Sequence, residues 1–222
     1  MPVDPKHLAE QIAASLDINF DDIGDEIALL LAPVAGDAMR AAMAALGAEK
    51  DAFDVADAYG IDYAQRRGAE LVGRRKLADG TVIDNPSPVF AITETTRDMV
   101  RAKLVEALEN GWSVSDLRTA IMEDVFGLAR ALMIARTETV TAHNAGQIAG
   151  AREMGVAFKA WFDAGDEAEC EECPGNADEG IIAMDETFKT GDDCPPAHPN
   201  CRCSLVFYSQ EEAEAESEEG AA

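Results

Sequence analysis

The sequence predicts an α+β fold, a mainly helical body followed by a small strand-containing subdomain. Alanine-rich, helix-forming segments fill the first two thirds of the chain, and the clearest β-like segments cluster near its C-terminus. All five cysteines fall in the last quarter. We divide the 222 residues into a helical N-terminal segment 1–50, a helical body 51–156, a cysteine-rich subdomain 157–209 and an acidic tail 210–222.

The first third of the chain is helical by composition. The stretch DEIALLLAPVAGDAMRAAMAAL is rich in strong helix formers, with Asp21 or Asp22 as candidate caps and Gly47 as a stop. Its small residues allow close helix packing, so segment 1–50 is a possible docking segment, although ordinary internal packing is the simpler use. A second helix is predicted from Ala52 to Val72, ending in the basic RRGAELVGRRK. The turn-rich LADGTVIDNPSPVF then predicts a loop or short hairpin.

Two helices are predicted next, in the middle of the chain. ITETTRDMVRAKLVEALENG carries threonines as candidate caps, ends at Gly111, and has one apolar stripe made of Val100, Leu104, Ala107 and Leu108. Ser113 and Asp116 have the spacing of a capping box, which predicts a short helix through about Val125.

A long helix is predicted from about Gly127 to Met154, with Gly155 as its stop. It has an apolar, mostly small stripe that lets a second element approach closely: Leu128, Ala131, Leu132, Ala135, Thr139, Ala142, Gly146 and Ala149. Arg136 and Glu138 lie about 200° apart around this helix and face no opposite charge on it, so their partners come from elsewhere. Arg136, His143 and Gln147 share one face. We favour a role in tethering the helix to the cysteine-rich segment over a catalytic role.

Three β-like segments follow, VAFKAWF, IIAM and CSLVFY. The tail QEEAEAESEEGAA has almost nothing to bury and is predicted to be disordered.

The charge balance restricts the partners. Eighteen basic and 43 acidic residues give 18 − 43 = −25, which disfavours direct binding to a phosphate backbone. The acidity suits a partner with a basic surface, but solubility alone also explains it without any partner. The chain has no uninterrupted apolar tract that would indicate a membrane span. Its start has no basic segment followed by an apolar one, which a secretion signal would require.

The cysteines have the spacing of metal ligands. An odd number without an export signal argues against a disulfide framework. Cys170 and Cys173 form a CxxC pair, and the proline-stiffened segment PPAHPNCRC supplies a second cluster. We predict a closed structural zinc site with Cys170, Cys173, His198 and Cys201 as ligands, Cys203 as the alternative ligand and Cys194 as a weaker candidate.

Other interpretations of these cysteines remain open. They could be reduced structural cysteines without metal. A thioredoxin-like pair is disfavoured because Pro174 and Gly175 follow Cys173 at once. A zinc deaminase would require His-x-Glu, which the chain lacks, and a hydrolytic site would keep an open position that six crowded candidate ligands do not suggest.

In order along the chain, IARTETVTAHNAG, KAWFDAGDEAECEEC, GIIAMDETF and PPAHPNCRC resemble the phage Mu F-like head-morphogenesis proteins, over about residues 60–208. Besides the cysteines and His198, the motif positions of the family correspond here to Arg136, Glu138, Asn144, Trp161, Asp163 and Arg202. The resemblance implies a minor capsid protein of a phage or prophage, made in the bacterial cytoplasm and placed in the head interior. It implies association with the portal protein and possibly the major capsid protein. From the net charge and the lack of an uninterrupted apolar tract we expect no direct DNA binding and no membrane. The expected role is in head assembly, DNA packaging or ejection.

Two other function classes compete with this non-enzymatic interpretation. One is a phage-delivered effector enzyme, a nuclease or transferase that uses Arg136, Glu138 and His143. In that case the three groups should converge on a solvent-accessible pocket. The other is a regulator that binds nucleic acid through a zinc knuckle, which the net charge of −25 disfavours.

Overall fold

The computed structural model describes residues 20–87, 91–125, 127–165 and 172–219, and its fold is α+β. The chain divides into two compact units. The first contains Met1–Ala28 and Gln65–Leu132, and the second contains Leu29–Ala64 and Met133–Ala222. The four segments drawn from the sequence are not tested by this division and stay predictions.

The first third of the described chain is helical, as predicted. Helix α1 spans Phe20–Ala45, a short 3₁₀ turn spans Lys50–Ala52, and helix α2 spans Asp54–Leu71. Because α1 already includes Asp21 and Asp22, the prediction that one of them caps it is wrong. Strands β1 (Arg74–Lys76) and β2 (Val82–Asp84) form the antiparallel hairpin that the turn residues indicated.

Part of α1 is long and apolar. Its segment Ile23–Ala45 meets the length and composition of a membrane-crossing helix, a test that core helices also pass. In this protein Leu31, Ala35, Met39 and Met43 of α1 are buried among protein atoms. These residues form part of a hydrophobic core, and a docking role for segment 1–50 stays a prediction.

Helices α3 (Ile92–Asn110) and α4 (Val114–Ala120) follow, and a π-helical turn extends α4 over Ile121–Val125. Gly111 ends α3 at φ 65°. The predicted capping box is confirmed, because the Asp116 amide donates to Ser113 Oγ (3.2 Å) and the Ser113 amide donates to Asp116 Oδ2 (3.0 Å). The predicted threonine caps of α3 are wrong. Residue Ala91 precedes its first turn, and the Thr95 hydroxyl bonds back to the Ala91 carbonyl at 3.0 Å.

Helix α5 spans Leu128–Glu153, within the predicted bounds. The predicted buried stripe is only half right. Its first half is exposed, with Leu128 at 75% and Leu132 at 55%, whereas Ala142 and Gly146 are buried. At Gly146 the expected close approach occurs, because a Cβ there would lie 2.2 Å from the Ala35 carbonyl oxygen of α1.

The three predicted C-terminal strands are present, and they form one antiparallel sheet. Strands β3 (Phe158–Phe162), β4 (Ile181–Ala183) and β5 (Ser204–Tyr208) are ordered β4-β3-β5, and helix α6 (Glu172–Ala177) lies between β3 and β4 in sequence. One side of this sheet covers a core built from Ile148, Ala151, Trp161, Cys173, Met184, Phe188, Cys201, Cys203 and Leu205.

The predicted disorder of tail 210–222 is wrong for its described part, where helix α7 spans Gln210–Glu219. Ser209 and Glu212 form a capping box, with the Ser209 amide donating to Glu212 Oε2 at 2.8 Å and the Glu212 amide donating to Ser209 Oγ at 3.3 Å. Gln210 adds a bond to Glu214 one turn on, at 2.7 Å. These helix-starting signals were overlooked because the acidic composition of the tail favoured disorder.

Candidate metal centre

Three cysteines from two separate segments meet in the core under the sheet. Cys173 lies on α6, and Cys201 and Cys203 lie in the segment that leads into β5. Their Sγ atoms all lie within 4.8 Å of one another, and the residues are 1–4% exposed. Cys170, the other half of the predicted CxxC pair, lies outside the described residues.

Two distances around this cluster match those between ligands of a tetrahedral zinc ion, although His198 is not one of the three residues whose ligand atoms all lie within 4.8 Å of one another. Cys173 Sγ and Cys201 Sγ are 3.8 Å apart. Zinc–sulfur bonds of about 2.3 Å at tetrahedral angles separate two sulfurs by about 3.8 Å. His198 Nε2 lies 3.3 Å from Cys173 Sγ, and a bound sulfur and nitrogen would be about 3.5 Å apart.

His198 is oriented as a ligand through Nε2. Its Nδ1 lies 2.8 Å from the Pro199 carbonyl oxygen. With the proton on Nδ1, that nitrogen donates to the carbonyl and Nε2 presents its lone pair toward Cys173. A second hydrogen bond of this kind is the usual support of a metal-bound histidine.

Helix α5 holds the segment that carries these ligands. The Asn200 amide, in a turn at φ 65°, donates to Thr137 Oγ1 at 2.9 Å. Arg136 Nη1 donates to Asn200 Oδ1 at 3.4 Å. Two turns further, the Asn144 side chain donates to the Cys203 carbonyl at 3.2 Å. These are contacts of the kind that the tethering interpretation of α5 requires.

A hydrogen bond links the thiols of Cys201 and Cys203. The hydrogen bond from Cys201 lowers the pKa of Cys203 to about 5, against the effect of burial, and the same bond together with burial raises the pKa of Cys201. The Trp161 indole N–H, which also helps to lower the pKa of Cys203, is buried without another partner among the described residues. A thiolate supported by a neighbouring N–H donor suits a metal, because metals bind the thiolate form.

Cys194 differs from the clustered cysteines. Burial, aided by the neighbouring Asp193 carboxylate, raises the pKa of its thiol to about 12. A neutral, half-buried thiol of this kind is a poor metal ligand.

The residues of the predicted enzyme alternative lie in different environments. Arg136 and His143 are exposed, whereas Glu138 is 4% exposed and has an interaction within the protein. The cavities of about 550 Å³ in the first unit and about 420 Å³ in the second are lined by other residues. Of the remaining motif positions, Trp161 packs edge-on against Phe188, Asp163 follows β3, and Arg202 is exposed between two buried cysteines.

Sequence reasoning missed a buried charged group beside the centre. Lys159 is 0% exposed, and its Nζ pairs with Asp193 and donates to the Asp193 carbonyl at 2.9 Å. Arg152 holds the other carboxylate oxygen at 2.7 Å. The alternation of FKAWF, which places Lys159 on the same side as Trp161, was the available signal.

The fold and the site together define a helical protein whose C-terminal sheet is closed over a cysteine–histidine cluster. Residues 98–206, just under half of the chain, match the family described as Phage Mu protein F like protein. No curated protein and no solved structure matches significantly. The resemblance in the sequence is therefore confirmed over residues 98–206, and its extension back to about residue 60 stays a prediction: this is a phage Mu F-like region, of a structural family that indicates bacteriophage head morphogenesis.

Proposed function

We propose that the chain is a minor capsid protein of a tailed phage or prophage that associates with the portal at the head interior. It is made in the host cytoplasm and supports head assembly, DNA packaging or ejection. The match over residues 98–206 carries this proposal, because it includes α5, the sheet and the described cluster cysteines. The net charge of −25 suits a protein that contacts the portal, and possibly the major capsid protein, without binding the packaged DNA.

Particle composition tests the proposal. Purified phage heads should contain the protein at a copy number far below that of the major capsid protein, measured by quantitative mass spectrometry. It should also copurify with the portal protein from infected cells. Presence only in the soluble fraction of the lysate, with none in washed particles, would contradict the proposal.

A deletion of residues 1–50 would not test docking cleanly. Leu31, Met39 and Met43 are buried, so that truncation removes part of a hydrophobic core together with any docking surface. Substitution of exposed α1 residues separates the two effects, and Leu29 and Leu30 are suitable because they are 78% and 72% exposed.

We further propose that the cysteine–histidine cluster holds a structural zinc ion. Cys173, His198 and Cys201 are ligands in this proposal, as the sequence predicted. The distances favour Cys203 as the fourth ligand, because it already lies within the cluster and its carbonyl is fixed by Asn144. Cys170 is the competing fourth ligand.

Such a site would be closed and structural. Four protein ligands complete the tetrahedron and leave no position for a substrate or a reactive water. In a small module, structural zinc contributes on the order of 10 kcal/mol to folding. The ion would fasten α6 to the segment that leads into β5, and through Asn144 and Thr137 this unit would be fixed to α5.

A further inference from the structure

The three-stranded sheet has a second apolar side, facing away from its core. Side chains alternate along β3, so Lys159 and Trp161 face the core while Phe158, Ala160 and Phe162 face the other way. Their partners in the adjacent strands share that side. We call this set the outer sheet face: Phe158, Ala160, Phe162, Ile181, Ala183, Ser204, Val206 and Tyr208.

The outer sheet face is apolar although it is partly exposed to solvent. All of its residues except Ser204 are apolar or aromatic. Phe162 is 61% exposed and Val206 is 37% exposed. An antiparallel sheet with one solvated side normally places polar residues on that side. An exposed apolar side on a sheet marks a surface that another element covers.

Negative charge borders this surface. The cavity of about 420 Å³ lies between Phe158 and Ile181 of the outer sheet face and Gln210, Glu214 and Glu216 of α7. Helix α7 contributes six glutamates and no basic residue. One end of the apolar surface is therefore an apolar cavity with an acidic wall, and the other end carries the exposed ring of Phe162.

We propose that the outer sheet face docks a basic amphipathic segment of another protein. Apolar side chains of that segment cover Phe162 and Val206, and its lysines or arginines pair with Glu214 and Glu216. A second copy of this chain fits worse, because it would bring a further −25 of charge and another acidic helix to the same surface. Nucleic acid has the wrong sign as well. Charge and exposure define this docking surface, which does not depend on the proposed role in phage heads.

A synthetic peptide of known chemistry tests the proposal. The probe is a fluorescent helical peptide with leucines on one face and lysines on the other, and its binding to the full chain is measured by anisotropy. Phe162→Ser should weaken binding roughly tenfold, as expected for an exposed aromatic anchor. Glu214→Gln with Glu216→Gln should weaken binding at low salt and have little effect at high salt.

Matched controls show whether the peptide binds at the outer sheet face. Leu128→Ser removes a similarly exposed apolar side chain from α5 (75%) and should leave the affinity unchanged. A peptide with glutamates in place of the lysines should not bind. Unchanged affinity in Phe162→Ser, or equal binding of the acidic peptide, overturns the proposal. So does a dimer, seen by sedimentation, that Phe162→Ser abolishes, because a second copy would then occupy the face.

Discussion

Asn144 and Cys203 are 59 positions apart, and the Asn144 Nδ2 atom donates a 3.2 Å hydrogen bond to the Cys203 carbonyl. The same nitrogen also donates to the Val140 carbonyl, one turn back on α5, at 3.0 Å. With Asn144 only 1% exposed, this amide joins the centre of a helix to the cysteine segment where water cannot substitute for it.

We expect Asn144→Ala to lower the free energy of unfolding by about 1–3 kcal/mol, because it leaves the buried Cys203 carbonyl without its donor. Chemical denaturation measures the change. Asn110→Ala is the control, since Asn110 makes a similar bond to the Glu106 carbonyl at an exposed helix end and should cost far less. Equal effects in the two variants would contradict a special role of the buried amide.

The metal proposal predicts about one zinc per chain after dialysis, measured by elemental analysis. Cys203→Ser should lose the ion and Cys170→Ser should keep it. The reverse result would establish Cys170 as the fourth ligand. The purified protein could instead contain no metal, have five titratable thiols and be no less stable for the absence of zinc. That result would contradict the metal site itself.

Glu138→Ala should destabilise the protein by about 1–3 kcal/mol, because the substitution leaves the group that contacts the buried carboxylate without its partner. Glu153→Ala, at an exposed position of the same helix, should change the unfolding free energy by no more than a few tenths. If Glu138→Ala behaves like Glu153→Ala, the carboxylate is solvated.

Gly146→Ala should cost about 2 kcal/mol or more, because the new methyl group would overlap the Ala35 carbonyl and force α1 and α5 apart. Gly175→Ala is the matched control, since a Cβ at Gly175 meets no atom within 4 Å. Thermal unfolding of the two variants compares them directly. Similar melting temperatures would show that the two helices have room to separate.

Acid should weaken the Asp193 network. Burial alone would raise the pKa of Asp193, but hydrogen bonds from Lys159 and Arg152 outweigh it and hold the pKa below its usual range. A depressed folded-state pKa gives stability that is present above the ordinary pKa of about 4 and is lost as pH falls through the lower value. The stability difference between wild type and Asp193→Asn should therefore be constant near neutral pH and shrink in acid. A difference that grows in acid would contradict this sign.

Local sequence signals predicted some element boundaries, although the candidate caps of α1 and α3 were wrong. The helix ends at Gly111 and Gly155 were predictable because both glycines adopt the left-handed conformation that stops a helix at low cost. The Ser113–Asp116 capping box was equally local. Signals of this kind involve residues a few positions apart, and distant packing does not alter them.

Which surfaces become covered was not predictable from local signals. On α5 the predicted apolar stripe included Leu132, which the structure leaves exposed, whereas Glu138, expected to find its partner elsewhere in the fold, is buried and has an interaction within the protein. Periodicity shows that a helix has distinct faces, but the partner decides which face is covered. Within the centre, spacing predicted Cys173 and Cys201 as ligands and Cys203 as the alternative, and the structure brings these three thiols within 4.8 Å of one another. His198, also predicted, lies 3.3 Å from Cys173 Sγ but is not a member of that mutually close group.

Because Lys159 is completely buried, the chemical reactivity of its amine reports how often the chain opens around it. Its amine is buried against Asp193 and the ring of Phe188, whereas Lys189 lies at the surface and its amine is accessible. An amine-reactive reagent can acylate Lys159 only in molecules whose C-terminal sheet has transiently separated from its core. Comparing the labelling of Lys159 and Lys189 by peptide mapping would therefore report how often that sheet opens, in free protein or inside an assembled particle.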